Sequence, residues 1–572
     1  MRRIAAAVVL ATTVASAVHS PVRSEDLQIS GRVDQATLPD AFERKGSRPR
    51  VDPAEITPAA AQLSEPLQDL LAPPTLALPA ESAQVRIKEL RPLTLDEALA
   101  LAEVNSPTLQ AAAHQEEQAK SSLRAALSSW YPTVDLSANG LPEYFKSYTY
   151  RNPNLSNPTG LDPDPISELY GREWRIRANV QVRWDLINPA RVPQIAAARD
   201  TYERARESYR IALRDLRLDT ATAYFQLQEA DEGVRIGQHS VRASLVSLRD
   251  ARARYNAGVN TKLEVLEAET QLARDRSLLT DRLATQELNR RNLARLTDLP
   301  QDVTPTAATP AAPLGLWQPS LQESIQAAYD FREELDQLIL DISIANSQAN
   351  ASLAAVQPVL SFVNTSSTSR TEGQSNRRSR GDIDMDAYTW GVQNTTALTA
   401  TWRLFDGGRA RAEYRRFKQA AAESEQNFAT MRDRIRFEVE ESFVGLRSAI
   451  QSIETTSREV LSSSESLRLS QLRVQAGVST QREVVNNQRD LTNAEIRHAQ
   501  AIRDYNTNLA QLQRRTGLDA LIACPAKGLP AEKPEVEGLE MPIEPTPLYS
   551  PCIAAAVKGQ TEEVVQPVQP LW

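Results

Sequence analysis

A long segment of the chain occurs twice, and that repetition constrains the fold before any single motif does. Thr94-Leu95-Asp96-Glu97-Ala98-Leu99 corresponds to Ser320-Leu321-Gln322-Glu323-Ser324-Ile325, and the same spacing carries Pro132 onto Pro358. Trp184-Asp185-Leu186-Ile187 then corresponds to Trp402-Arg403-Leu404-Phe405 at a shorter spacing, as when a loop between the two markers has lost residues. Arg254-Tyr255-Asn256-Ala257-Gly258-Val259-Asn260-Thr261 corresponds to Arg473-Val474-Gln475-Ala476-Gly477-Val478-Ser479-Thr480, and the likeness ends near Leu299 and Leu518. The 572 residues thus read as one unit used twice, 93–300 and 320–518, with 301–319 as a linker. A row of domains of about 150 residues each is excluded.

Outside the two copies the composition changes. Residues 18–92 and 519–572 are rich in Pro, Ala and Glu with little periodicity, so they read as a Pro-rich N-terminal arm and C-terminal tail. Residues 1–17 place Arg2 and Arg3 before an apolar run and close on Ala15-Ser16-Ala17, the pattern of a secretory signal peptide. No later run reaches the roughly 20 apolar residues of a membrane-spanning helix, so any crossing must be made by strands. Cys524 and Cys552 both fall in the tail. An exported chain meets conditions that permit them to pair, and their spacing alone does not decide it. A net charge of −8 argues against a nucleic-acid partner, which calls for a basic patch.

Each copy contains a long helical stretch. No proline occurs between Pro193 and Pro300 or between Pro358 and Pro525, and both intervals are dominated by Ala, Arg, Glu, Gln and Leu. Tyr209, Leu213, Leu216, Thr220, Ala223, Leu227, Ala230 and Val234 recur at alternating steps of four and three. The second copy answers with Phe428, Arg432, Ile435, Val439, Ser442, Leu446, Ala449 and Ile453. Such a heptad seam makes coiled coils. A helix from Arg191 to Ala257 would be roughly 100 Å long. Gly258 and Gly477 interrupt the pattern at matching places, where φ > 0 lets one helix end and another begin, with Asn260-Thr261 and Ser479-Thr480 as expected caps. Each copy is expected to form a helical hairpin.

The strands come before the long helix. From Trp174 to Leu186 one parity reads Trp174, Ile176, Ala178, Val180, Val182, Trp184, Leu186, and the other Arg175, Arg177, Asn179, Gln181, Arg183, Asp185. Strict alternation describes a strand with one apolar and one wet face. Ten residues between tryptophans, at about 3.3 Å each and tilted near 40°, rise roughly 25 Å, the height of a lipid-facing band with aromatic girdles. The second copy repeats the pattern with Trp390, Val392, Leu398, Ala400, Trp402 and Leu404, weakened by Asn394 and Thr396. Shorter partner strands are expected after Pro132 and Pro358, with long polar loops over 141–173 and 365–387. Four strands cannot close a membrane barrel, whose smallest form has about eight, and an open edge in lipid leaves backbone groups unsatisfied, so the chain is expected to oligomerise.

At this point the sequence resembles the TolC family of outer-membrane factors, over roughly Leu93–Leu518. The resemblance rests on the doubled order of helix, two strands, long helix, tip glycine and helix. It also rests on Leu404-Phe405-Asp406-Gly407-Gly408-Arg409, which looks like the family's strand-to-helix segment; the first copy departs from it with Ile187-Asn188-Pro189-Ala190-Arg191. It implies a mainly α fold with a membrane β-barrel: a homotrimer in which coiled-coil hairpins form a periplasmic α-barrel and four strands per chain form a twelve-stranded barrel in outer-membrane lipid. It further implies an exit duct of a tripartite efflux pump or type I secretion system. A periplasmic adaptor (membrane fusion) protein and an inner-membrane transporter, proton-driven or ABC type, would feed it.

Two residue sets would carry that function. Ala257-Gly258-Val259 and Ala476-Gly477-Val478 match the family's adaptor-docking tips, and small residues allow close approach of helix ends; the same residues also simply make a turn. Glu264, Glu267, Glu483 and Asn486 stand beyond the glycines, where the family rings its periplasmic entrance with acids. Asn486 departs from that pattern, and a solvated acidic helix face accounts for the others equally. Trp174, Trp184, Trp390 and Trp402 would form the aromatic girdles. The four histidines are scattered, and no metal-ligand spacing, phosphate-binding loop or nucleophile motif occurs, so neither an enzyme nor a bound cofactor is expected. The alternative reading is a periplasmic coiled-coil scaffold or adaptor without a pore.

Overall fold

In the computed structural model, residues 65–151, 167–259, 261–378, 382–523 and Leu548 are described. All lie in one compact unit, Val51–Trp572. The signal segment 1–17, the outer parts of both arms, Cys524 and Cys552 lie outside the described residues.

The order helix, helix, strand, strand, long helix, helix runs twice. The first run is α1 (Leu95–Asn105), α2 (Pro107–Leu127), β2 (Thr133–Arg151), β3 (Ser167–Ile187), α3 (Arg191–Asn256) and α4 (Lys262–Leu296). The second is α5 (Leu321–Phe331), α6 (Glu333–Ala354), β6 (Val359–Arg378), β7 (Asp382–Thr401), α7 (Arg409–Gln475) and α8 (Gln481–Thr516). Both runs open on the same capping box. Thr94 Oγ1 accepts from the Glu97 amide at 3.3 Å while Glu97 Oε2 accepts from the Thr94 amide at 2.8 Å. Ser320 and Glu323 repeat this at 3.3 and 2.8 Å, so two N-terminal amides of each helix are satisfied by its own side chains.

The long helices α3 and α7 have 66 and 67 residues. Their seams are where the heptads put them: Leu213, Leu216, Thr220, Ala223, Leu227, Ala230 and Val234 are buried on α3, and Ile435, Val439, Ser442, Leu446, Ala449 and Ile453 on α7. Arg432 occupies a seam position by spacing but is exposed and pairs with Asp433 at 2.9 Å. Each long helix packs on its hairpin partner, α4 or α8, and α3 also packs on α6 and α8, which ties the two copies together.

The membrane-type sheet has the order β2-β3-β6-β7, antiparallel throughout, with strands of 19, 21, 20 and 20 residues. The partners β2 and β6 are therefore not short, and after a bulge between Asn139 and Glu143 pairing continues through 143–151, 167–173, 365–378 and 382–387, where loops were expected. The reason is that backbone pairing above an apolar band does not require alternating side chains: β6 carries hydroxyls on both faces from Thr365 to Ser369, which hides it from any period-2 reading.

The segments read as arm and linker also carry structure. Leu67 and Leu70, in a 3-10 turn over Glu65–Leu70, are buried with Leu93, Leu101, Leu299 and Val303. β1 (Glu89–Leu93) pairs in parallel with β4 (Val303–Ala307), and β5 (Gly315–Trp317) pairs with β8 (Leu521–Ala523). These pieces are too short and Pro-rich to show periodicity, and they are held by contacts distant in sequence. Tyr224 Oη donates to Leu93 O at 3.0 Å, and Tyr505 Oη to Gly315 O at 2.6 Å.

A buried charge network lies beside this belt. Arg214 on α3 pairs with Glu333 at 2.7 Å, Arg514 on α8 with Glu334 at 2.7 Å, and Arg332 with Glu438 on α7 at 2.5 Å. Burial pushes the Glu333 carboxyl up to about 7 despite Arg214, and one of its oxygens has no hydrogen-bond partner. Burial acts upward on Glu334 too, but hydrogen bonds from Arg332 and the Arg514 charge hold it near about 2.

Candidate functional site

At the far end of the hairpins, Gly258 and Gly477 adopt φ of +75° and +74°. Val259 N donates to Arg254 O at 2.9 Å and Val478 N to Arg473 O at 3.0 Å. This is the closing bond of a Schellman turn, which requires a left-handed residue and so selects glycine. Ala257 and Ala476 stand at the helix C-caps, and Val259 and Val478 are 74% and 68% exposed. A side chain added at either glycine would meet nothing within 4 Å. The expected side-chain caps do not form: Thr261 and Thr480 sit at the N-cap positions with no side-chain hydrogen bond to the helix. Asn260 lies outside the described residues, and Ser479 donates instead to Glu483.

Just behind the tips two of the expected acids are held by arginines. Glu483 Oε1 accepts from Arg473 at 2.9 Å, across the α7–α8 hairpin. Glu267 on α4 accepts from Arg482 on α8, which joins the two hairpins. The hydrogen bond it donates to Glu267, with the charges of Glu267 and Glu264, holds the Arg482 guanidinium above its ordinary value. Arg254 donates to Val474 O at 3.0 Å and Gln481 to Ser247 Oγ at 2.6 Å, two further links between the copies. Asn486 is exposed. Arg482 was not a sequence candidate. It stands next to Glu483, and neighbours on a helix point about 100° apart, so one faces α4 and the other α7.

At the other end, the sheet has two chemically different faces. Register places Leu136, Val180, Trp174 and Trp184 on one face and Arg175, Arg177, Gln181 and Arg183 on the other. The four girdle tryptophans Trp174, Trp184, Trp390 and Trp402 are all exposed, at 42–66%. Trp184 Nε1 donates to Trp130 O and Trp402 Nε1 to Val356 O, both at 3.0 Å, so the indoles nearest the helices are anchored alike in both copies. Trp174 packs on Tyr144 with ring centroids 4.9 Å apart. The polar residues that weaken the apolar face of β7 are satisfied within the sheet: Asn364 donates to Asn394 and Thr396 at 3.2 and 2.7 Å, and Asn394 to Ser366 at 2.6 Å. Only one side of β2 and of β7 is paired, so both edges of the sheet are open. No described helix is long and apolar enough to cross a membrane.

Comparison with known proteins decides what this arrangement is. The model of the family described as outer membrane efflux protein matches residues 98–298 and 324–518. The chain belongs to the outer membrane efflux protein family. It is accordingly an outer-membrane channel of the TolC-like kind and not an enzyme. Solved structures of the same fold include CusC (17% identity, TM-score 0.59, covering 78% of this chain and 99% of that one). The outer membrane protein VceC of Vibrio cholerae (15%, 0.57, 74% and 96%) and the CmeC outer membrane channel of Campylobacter jejuni (16%, 0.56, 78% and 94%) are similar. No curated protein matches the chain. Both family matches begin inside the capped helices α1 and α5 and end with α4 and α8, so each takes in one full run of elements.

Proposed function

We propose that this efflux protein is a homotrimeric exit duct in which three four-stranded sheets close edge to edge into a twelve-stranded barrel, continued by a periplasmic tunnel of helical hairpins. One observation carries the reading: a sheet with one apolar face, tryptophans at two levels and two unpaired edges. In lipid those edges must be paired, and other copies of the same sheet supply β2 for β7. The hairpin tips Ala257–Val259 and Ala476–Val478 dock a periplasmic adaptor, fed by a proton-driven or ABC-type inner-membrane transporter. Glu264, Glu267, Glu483 and Asn486 lie at the periplasmic entrance. The pairs Arg482–Glu267 and Arg473–Glu483 hold that entrance narrow, and cargo passage requires them to separate.

Cell fractionation tests the reading against the scaffold alternative. The duct stays with outer membranes through salt washing and leaves them only in detergent, as a particle with the mass of three chains. Release with the periplasm, or a monomer in detergent, would overturn it.

A further inference from the structure

Three arginines share the face of β3 opposite the tryptophans, and two of them are neutralised on their own strand. Arg175 donates to Glu173 Oε2 from Nε and Nη2 at 3.0 and 2.8 Å, and Arg183 donates to Asp185 Oδ1 at 3.2 Å. Arg177 breaks the pattern. It is exposed, and its side chain has neither an ion pair nor a hydrogen bond among the described residues. Two residues on, where an acid would stand, is Asn179, whose amide oxygen accepts from Ser137 Oγ at 2.6 Å.

The cross-strand rows at Arg177 are uncharged but rich in hydrogen-bonding groups, and the acid that shares its groove, Glu173, is taken by Arg175. Its cross-strand neighbours are Asn139 and Ser369, followed by Gly391. The next row on the same face reads Ser137, Asn179, Ser367 and Gln393. Across these two rows, about 7 Å along the strands, Arg177 is the one formal charge. Arg177 opens on a groove of about 590 Å³ lined also by Asn139, Asn179, Ser369 and Thr371 and by the mutually paired Glu173 and Arg175.

We propose that Arg177 is an oxyanion-binding site inside the channel, taking the carboxylate or phosphate groups of passing solutes; this rests on the closed barrel put forward above. A guanidinium offers a planar fork of donors that fits two oxygens of such a group, and the serine hydroxyls and asparagine amides beside it supply further donors. In the trimer three copies of Arg177 stand at one level. Their mutual repulsion, concentrated in a low-dielectric channel, favours occupation by an anion. The other two arginines show that strand pairing is compatible with local neutralisation, so the missing acid beside Arg177 is specific to that row.

The test uses the full-length protein in planar bilayers in potassium chloride, with inorganic phosphate added in steps at constant ionic strength. The parent channel shows a saturable drop in conductance with phosphate that added chloride does not reproduce. Arg177→Gln shifts the half-saturating concentration upward at least about tenfold, with trimer mass unchanged. Arg177→Lys recovers part of the effect, because a point charge remains without the fork. Identical phosphate responses in parent and Arg177→Gln, or no saturation in the parent, would overturn the site while leaving the channel standing. No conductance in the parent would overturn the barrel first, and the site with it.

Discussion

At the scale of single residues, the most informative group is Glu333. Burial pushes its carboxyl up from 4.5 to about 7 in the folded chain. A carboxyl raised in this way holds its proton more tightly when folded. Its stabilising contribution is complete below about 4.5 and is lost as pH rises through 7. Over that window the parent should lose roughly 3 kcal/mol relative to Glu333→Gln, which has no proton to release. Thermal unfolding of both proteins between pH 4.5 and 8 checks this, and parallel curves would contradict it. Glu483 sits in a different environment, half-exposed and paired with Arg473. Such a pair contributes only about 0.2–1 kcal/mol, so Glu483→Gln should leave trimer stability nearly unchanged. It frees a positive charge at the proposed entrance. Cation over anion permeability should therefore fall, with weaker block by multivalent cations, read as a reversal potential in a salt gradient; equal potentials would return these glutamates to an ordinary solvated face.

At the scale of elements, what was legible depended on whether a segment is shaped by its own period or by its neighbours. The long helices were visible because proline is absent and the seam repeats, and β3 because its parity is strict. The tips were visible because glycine is the residue that a left-handed turn selects. β6 was only partly visible: with hydroxyls on both faces, a slipped register would expose nothing apolar, and the Asn364–Asn394 ladder supplies a register signal that no hydropathy pattern carries. β1, β4, β5 and β8 were invisible because they exist only against partners far away in sequence. Of the candidate site, the acids were named from the sequence, but Arg482, the partner of Glu267, was not, since that pairing crosses from one copy to the other. The tips give a clean test. Because nothing lies within 4 Å of an added side chain at Gly258 or Gly477, a bulky replacement there brings only backbone strain of about 1–2 kcal/mol each. Replacing both should abolish export in a cell-based assay while trimer and membrane insertion persist; unchanged export would show that the tips are only turns.

At the scale of the whole molecule, two features constrain each other. The helical copies are joined inside one chain, by α3 against α6 and α8 and by the Arg482–Glu267 and Arg254–Val474 links near the tips. The sheet, in contrast, stops with both edges unpaired. On the proposed reading, a chain internally joined at one end and incomplete at the other completes itself by association with copies of itself, because unpaired edges in lipid leave backbone groups unsatisfied. The most direct measurement is single-channel recording of purified protein in a planar bilayer, paired with its mass in detergent by light scattering. The account predicts discrete, uniform conductance steps from particles with the mass of three chains. A stable monomer that inserts without conductance would contradict it.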